Sequence, residues 1–368
     1  MDRFFLLSEH LEGDILQPIW GSRPEQVEAE YGPGSYPVYC SGGFRYHWWL
    51  GWQHKGLRQQ LGMLWFFLRK GVSLYRERRY ECIIAYSHLA PALVGVVLKV
   101  WTRAKLIVEV ATSPSLAFLH HRPRPTLKDR LRRIYSDLSL YIAVLFCDQV
   151  HLLYDTQLSD YSLLRRAPAT VFHEFVPVST IERKDPRQPK TVLLVGAPWY
   201  LKGADVLVRA FQNLESDFPE VRLRLQGHFL QLEELEALIG GDTQIEIVKP
   251  VRYAEILEAI GQSWVLVLPS RTEGMGRVLL EAMSAGVPVI GSDAGGIPHY
   301  IRHGDYGFVF PAGDVQQLEA QLRQILSDGE LRRRMGARAY EVAHTMYHEQ
   351  KYVEQFSKMV KASVDGSV

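Results

Sequence analysis

The sequence predicts an α/β fold of two successive parallel sheets, and three observations predict it. Short apolar runs alternate with longer amphipathic stretches along the whole chain, the pattern of buried strands joined by crossover helices. With 368 residues the chain is long enough for two compact domains of about 180 residues each. Near its middle, Ile181 to Lys190 is polar, carries two prolines and lacks apolar periodicity, as a domain linker should. The expected division is 1–180, 181–345 and a helical tail over 346–368.

Composition narrows the function classes. At 47% hydrophobic and 23% charged the chain can bury a core, which argues against disorder. A net charge of +1 offers no global attraction to nucleic acid. Cys40, Cys82 and Cys147 are too few and scattered for a disulfide framework or a C-x-x-C metal site, so a reducing cytosol is expected. The apolar run Phe4 to Leu7 is shorter than an export signal's core. Those around Leu89 to Trp101 and Leu138 to Cys147 fall short of the ~20 residues that cross a bilayer.

In the first half, strands are expected at Phe4 to Ser8, Cys82 to Tyr86, Lys105 to Val110 and Gln149 to Tyr154. Gly13 follows the first of these, where backbone can approach a ligand closely. Arg45 to Arg79 holds eight basic residues and one acid among Trp48, Trp49, Trp52, Trp65, Phe66 and Phe67. Three readings stand for it: contact with an anionic membrane, which would bring a lipid-linked acceptor and a place at the inner membrane face; buried aromatics packing the domain's helices; or stacking on a sugar ring. Arg122 to Arg133 is also basic, with helical spacing over Thr126 to Tyr135, and a solvated helix face is one reading of it.

In the second half, strands are expected at Thr191 to Gly196, Val221 to Gly227, Ile245 to Val251, Trp264 to Ser270 and Pro288 to Asp293, with a helix over Ala204 to Asn213. The tail has helical periodicity from Tyr347 to Ala362.

The segment from Val267 to Gly286 carries the chemistry: a buried strand, a polar loop, then a helix starting near Gly274. Loops at the carboxyl ends of parallel strands line a crevice, and the helix start offers free N–H groups to an anion. Gly274 and Gly276 suit close backbone approach, or are simple turn glycines. Glu273 and Glu281, about 12 Å apart were the chain between them helical, are too distant to share a proton. As ionised acceptors they suit hydroxyls of an extended ligand. Lys202, at a helix start, suits a phosphate or is merely solvated.

The run E-G-M-G-R-V-L-L-E-A-M followed by S-A-G-V-P-V-I-G-S resembles the E-x7-E signature of retaining glycosyltransferases of family 4. Pro269-Ser270, the G-G-I-P run Gly295 to Pro298 and K-G-A-D-V-L-V-R-A-F from Lys202 extend the likeness over most of the second half. The first half matches only in strand rhythm and length. The resemblance implies the GT-B fold: two Rossmann-like domains facing across a cleft, acceptor domain first and donor domain second, with the final helix returning to the first. It implies that Glu273 holds a donor-sugar hydroxyl, Glu281 the ribose hydroxyls and Lys202 the diphosphate. Backbone at Gly274, Met275 and Gly276 would face the sugar and phosphate, with Gly196 and Gly227 completing the donor site.

Two positions depart from that pattern. Ala197 stands where many relatives have an Arg after the glycine, leaving Arg271 or Arg277 as substitutes. Ala111, before Thr112, stands where relatives commonly have an acceptor-side His; His120 and His121 follow in the loop. The implied reaction moves a sugar from a nucleotide diphosphate to a hydroxyl of a carbohydrate or lipid-linked acceptor, with no protein nucleophile. The departing phosphate oxygen takes the acceptor's proton on the same face, so configuration is retained. Without Asp-x-Asp or a His/Asp cluster, neither a metal nor another cofactor is expected. A noncatalytic nucleotide-sugar-binding protein is the alternative, and an epimerase on this scaffold fits the signature less well.

Overall fold

The computed structural model describes residues 3–19, 23–51, 57–111, 116–183, 190–227, 229 and 232–367. Among these, thirteen strands form three sheets. A small sheet, in the order β1-β3-β2, holds β1 (Gly13–Ile19), β2 (Val38–Ser41) and β3 (Phe44–Leu50). A parallel sheet follows in sequence order: β4 (Cys82–Ala85), β5 (Lys105–Val110), β6 (Gln149–Leu152) and β7 (Ala169–Val171). The second half forms a six-stranded parallel sheet ordered β10-β9-β8-β11-β12-β13. Its strands are β8 (Lys190–Val195), β9 (Val221–Gln226), β10 (Ile245–Val248), β11 (Val265–Leu268), β12 (Val289–Ser292) and β13 (Gly307–Phe310).

The strand expected over residues 4–8 is instead a helix, Arg3–Leu7. Phe4 and Leu7 turn inward, whereas Phe5 is exposed. A run this short satisfies either period, so tertiary packing decides. Gly13 therefore does not follow a strand; it opens β1, paired with Phe44 and packed against that ring. The strand β1 does not read as an apolar run because it carries Asp14 and Gln17. That carboxylate accepts hydrogen bonds from Arg45 at 2.8 and 2.7 Å, from the Tyr80 hydroxyl, and lies 2.6 Å from His47 Nε2. Burial opposes its ionisation, but the Arg45 and His47 bonds hold Asp14 below the usual carboxylate range. This cluster ties β1 to β3.

Residues 45–79 divide between core and surface. Trp48 is buried in β3, stacked on Tyr46, its Nε1–H donating to the Ser35 carbonyl at 3.0 Å. The following helix, Leu57–Arg78, turns Met63, Phe67 and Leu74 inward and leaves Leu61 and Trp65 outside. Trp52 lies outside the described residues. The basic stretch after Arg122 becomes the helix Leu127–Phe146, opened by a capping box in which Thr126 and Asp129 bond reciprocally.

The last helix, Glu349–Asp365, packs on the four-stranded sheet: Tyr352, Val353 and Phe356 join Ile107 and Phe172 in one cluster. Glu349 fastens its start by accepting from the Ser179 N–H and hydroxyl at 2.8 and 2.7 Å. The tail thus returns to the first half. In the second half, Val192, Val265 and Leu223 line one face of the sheet, and Leu193, Leu266 and Val289 the other. Both faces are covered, as a parallel sheet requires. Among the described residues no helix is long and apolar enough to cross a membrane.

Candidate functional site

The loops leaving β8, β9, β11 and β12 meet at the carboxyl edge of the six-stranded sheet. Gly196 follows β8 with φ +140°, and Gly227 follows β9. A side chain on Gly227 would lie 2.4 Å from the Gly196 carbonyl, so the two turns touch only because both are glycines. The β8 loop ends at Lys202 and Gly203, which opens the helix Ala204–Gln212 in the left-handed conformation. A Cβ on Gly203 would fall 1.9 Å from the Pro269 carbonyl. The β8 and β11 loops are therefore in backbone contact.

That contact brings together two side chains 71 residues apart. Lys202 Nζ lies 2.5 Å from Glu273 Oε2, which also accepts from the Ser270 hydroxyl at 3.0 Å. The Lys202 side chain is 18% exposed and that of Glu273 11%, so the pair is sheltered yet reachable. From behind, Gly295 packs on the Glu273 carbonyl, and the Gly296 N–H donates to the Gly274 carbonyl at 2.9 Å. The residues 295–298 thus brace the loop.

Gly276, at φ +72°, precedes the helix Arg277–Ser284. Neither this helix nor Ala204–Gln212 carries a side-chain cap at its start; the N–H groups of Gly203 and Ala204 already donate to the Tyr200 and Trp199 carbonyls at 3.1 and 3.0 Å, so it is the start of Arg277–Ser284 that leaves N–H groups for an anion. Glu281, 5% exposed, accepts from the Tyr253 hydroxyl at 2.9 Å and lies 3.9 Å from Arg277. Burial pushes its carboxyl above the usual range, only partly offset by Arg277 and Tyr253. Met275 is buried; its sulfur accepts the Glu174 N–H at 3.3 Å. Its backbone rather than its side chain is the part left to face a ligand.

Arg271 is committed elsewhere. It makes two bonds to Asp205, at 2.8 and 2.6 Å, and lies 3.7 Å above the Tyr200 ring. Arg277 is freer, 3.7 Å from Glu174 and partly exposed. His120 is half-buried rather than fully solvated; burial and the Arg271 charge lower its pKa. Thr112 lies outside the described residues. Gly13 sits in the three-stranded sheet, where it opens β1 opposite Phe44.

The sequence reading did not include Tyr253, Ser270 or Glu174 as partners. Ser270 alone had a signal, in the Pro269-Ser270 pair; Tyr253 and Glu174 arrive from segments with no motif. Among the described residues no three His, Cys, Asp or Glu side chains gather into a metal-binding group.

Residues 179–342 match the family model of glycosyl transferases group 1. The chain is 43% identical over 101 residues to N-acetyl-alpha-D-glucosaminyl L-malate synthase of Bacillus anthracis, covering 27% of this chain and 26% of that one. It is 35% identical over 142 residues to a sulfoquinovosyl transferase of Arabidopsis thaliana, covering 38% and 28%. The chain therefore spans little more than a quarter of these two relatives' length. Among solved structures, sucrose-phosphate synthase from Thermosynechococcus elongatus superposes with TM-score 0.78 at 16% identity, over 95% of this chain and 98% of that one. Anabaena HepE in complex with UDP-glucose superposes with TM-score 0.71 at 15% identity, over 96% and 100%. The fold is GT-B.

Proposed function

We propose that this chain is a retaining family 4 glycosyltransferase that moves a sugar from a nucleotide diphosphate to an acceptor hydroxyl during surface polysaccharide or glycolipid synthesis. The observation that carries the reading is the junction of Lys202 and Glu273 beside the uncapped start of the helix Arg277–Ser284, a setting made for an anion and a polyol together. Residues 181–345 take the donor, 1–180 the acceptor, and 346–368 join them as a crossover helix.

Breaking the glycosyl–phosphate bond builds negative charge on the leaving diphosphate. Lys202 and the N–H groups at residues 276–278 stabilise it. Glu273 then exchanges its lysine partner for a hydroxyl of the sugar, and Glu281 with Tyr253 receives the ribose. The leaving oxygen takes the acceptor's proton on the same face, so neither a protein nucleophile nor a metal or other cofactor enters. Arg277, partly exposed, supplies the second phosphate cation in place of Ala197. Closure of the two halves would exclude water and limit donor hydrolysis.

The relatives' names point to sugar transfer, and the UDP-glucose held by HepE makes a UDP-sugar the first donor to try. A carbohydrate or lipid-linked acceptor at the cytoplasmic face of a membrane suits the basic first half. Within residues 45–79, Leu61 and Trp65 are the outward apolar groups for such contact. Incubation with UDP-, GDP- and ADP-sugars, followed by determining the product's anomeric configuration, tests the reading. Transfer with retention supports it; binding without transfer or hydrolysis favours a noncatalytic nucleotide-sugar-binding protein.

A further inference from the structure

The helix Leu127–Phe146 is apolar on both sides. It buries Ser136, Ser139, Leu140, Ala143 and Val144 toward the four-stranded sheet. A surface helix carries polar residues opposite such a face. Here Leu127, Leu131, Ile134, Leu138, Tyr141 and Leu145 recur every three or four positions on the outer side and are all exposed, Leu127 to 73% and Ile134 to 62%. Over 20 residues this stripe runs about 30 Å. The helix Ala90–Thr102 packs on the same side of the sheet, sharing a cluster of Ala92, Val96 and Ala143. It adds exposed Val97, Val100 and Trp101.

The rim of this face is basic. Lys128, Arg130, Arg132 and Arg133 are exposed along the helix, while its acids are engaged. Asp129 is buried against Arg122 at 3.3 Å and Arg132 at 3.7 Å, and Asp137 lies 3.7 Å from Arg133.

We infer that this face docks on an anionic lipid bilayer, with the stripe in the interface and the basic rim on headgroup phosphates. Charge chooses lipid over a second copy of the chain: two such faces brought together would oppose the same cations, at a cost, whereas anionic headgroups neutralise them. Trp101 and Tyr141, part apolar and part polar, suit the boundary layer. The inference does not depend on the donor reading, because its test needs no sugar nucleotide.

The test is co-sedimentation of the full chain with phosphatidylcholine vesicles, with and without phosphatidylglycerol. The chain should pellet with the mixed vesicles alone and be released by salt. Replacing Lys128→Gln and Arg130→Gln together should weaken the partition roughly thirtyfold, about fivefold per charge. The pair Leu131→Glu and Leu138→Glu should abolish it with unchanged circular dichroism. Failure of the unaltered chain to pellet, or equal binding to both vesicles, overturns the inference. So does a dimer in light scattering that the Leu131→Glu, Leu138→Glu pair dissolves, which would assign the face to a second copy.

Discussion

The ammonium of Lys202 sits 2.5 Å from the carboxylate of Glu273, joining the β8 loop to the β11 loop at the sheet's carboxyl edge. Each is the other's partner, and in the proposed reading a diphosphate sugar takes both. Lys202→Ala should lower transfer about 100- to 1,000-fold, the usual loss of one positioned charge donor. Glu273→Gln should reduce turnover while changing donor affinity little. Initial rates with saturating donor, set beside calorimetric affinities, separate the two; equal, small effects would count against these roles.

Glu281 answers to pH. Burial raises its carboxyl above the ordinary 4.5, and the ionised form is the stronger acceptor for hydroxyls. Donor affinity should therefore fall on acidification through that raised value, well before free glutamates protonate. Tyr253→Phe removes a hydrogen bond that favours the charged form. Affinity should drop about 2- to 10-fold, with the fall moving to higher pH. Titrations across a pH series check both signs.

The same shift bears on stability. A carboxyl whose folded pKa lies above its unfolded one binds more protons when folded, so its contribution is fully present below 4.5 and is lost as pH rises through the folded value. Glu281→Gln should thus melt no lower than the unaltered chain at neutral pH, yet gain less from added donor. Glu174, raised by the same cause, should behave likewise. Melting curves at acid and neutral pH read this directly.

Two glycines separate loop contact from backbone strain. Gly203 and Gly304 both have positive φ, at +72° and +80°, but a Cβ on Gly203 meets the Pro269 carbonyl and one on Gly304 meets nothing. Gly304→Ala should cost about 1 kcal/mol from conformation alone. Gly203→Ala should cost about 3 kcal/mol or more, adding overpacking to strain, and should displace Lys202. Denaturant midpoints and donor affinity measured on both variants test the contrast.

The second half was legible because its central strands, β11 and β12, are buried along their whole length and read as apolar runs, while β9 and β10 still alternate apolar with charged residues: the expected strands over 191–196, 221–227, 245–251, 264–270 and 288–293 all appear, and β13 was not among them. The first half was less so. β1 hides a buried Asp14 cluster that no periodicity signals, and the apolar residues at 4–7 suit a helix as well as a strand. Lys202 and Glu273 could be named from motifs, but their contact depends on Gly203 letting two backbones meet. Tyr253 and Glu174 come from segments whose local pattern shows only a helix start and a loop. The apolar outer face of Leu127–Phe146 was masked in sequence by the arginines interleaved with it, which drew the eye to charge.

The most direct test of the site is calorimetric titration of UDP-glucose into the unaltered chain and into Glu281→Ala. Saturable binding that the substitution weakens at least about tenfold, equal to the loss of roughly 1.4 kcal/mol, is the predicted result. Equal binding by both chains, or none by the unaltered chain with UDP-, GDP- or ADP-sugars, would contradict it.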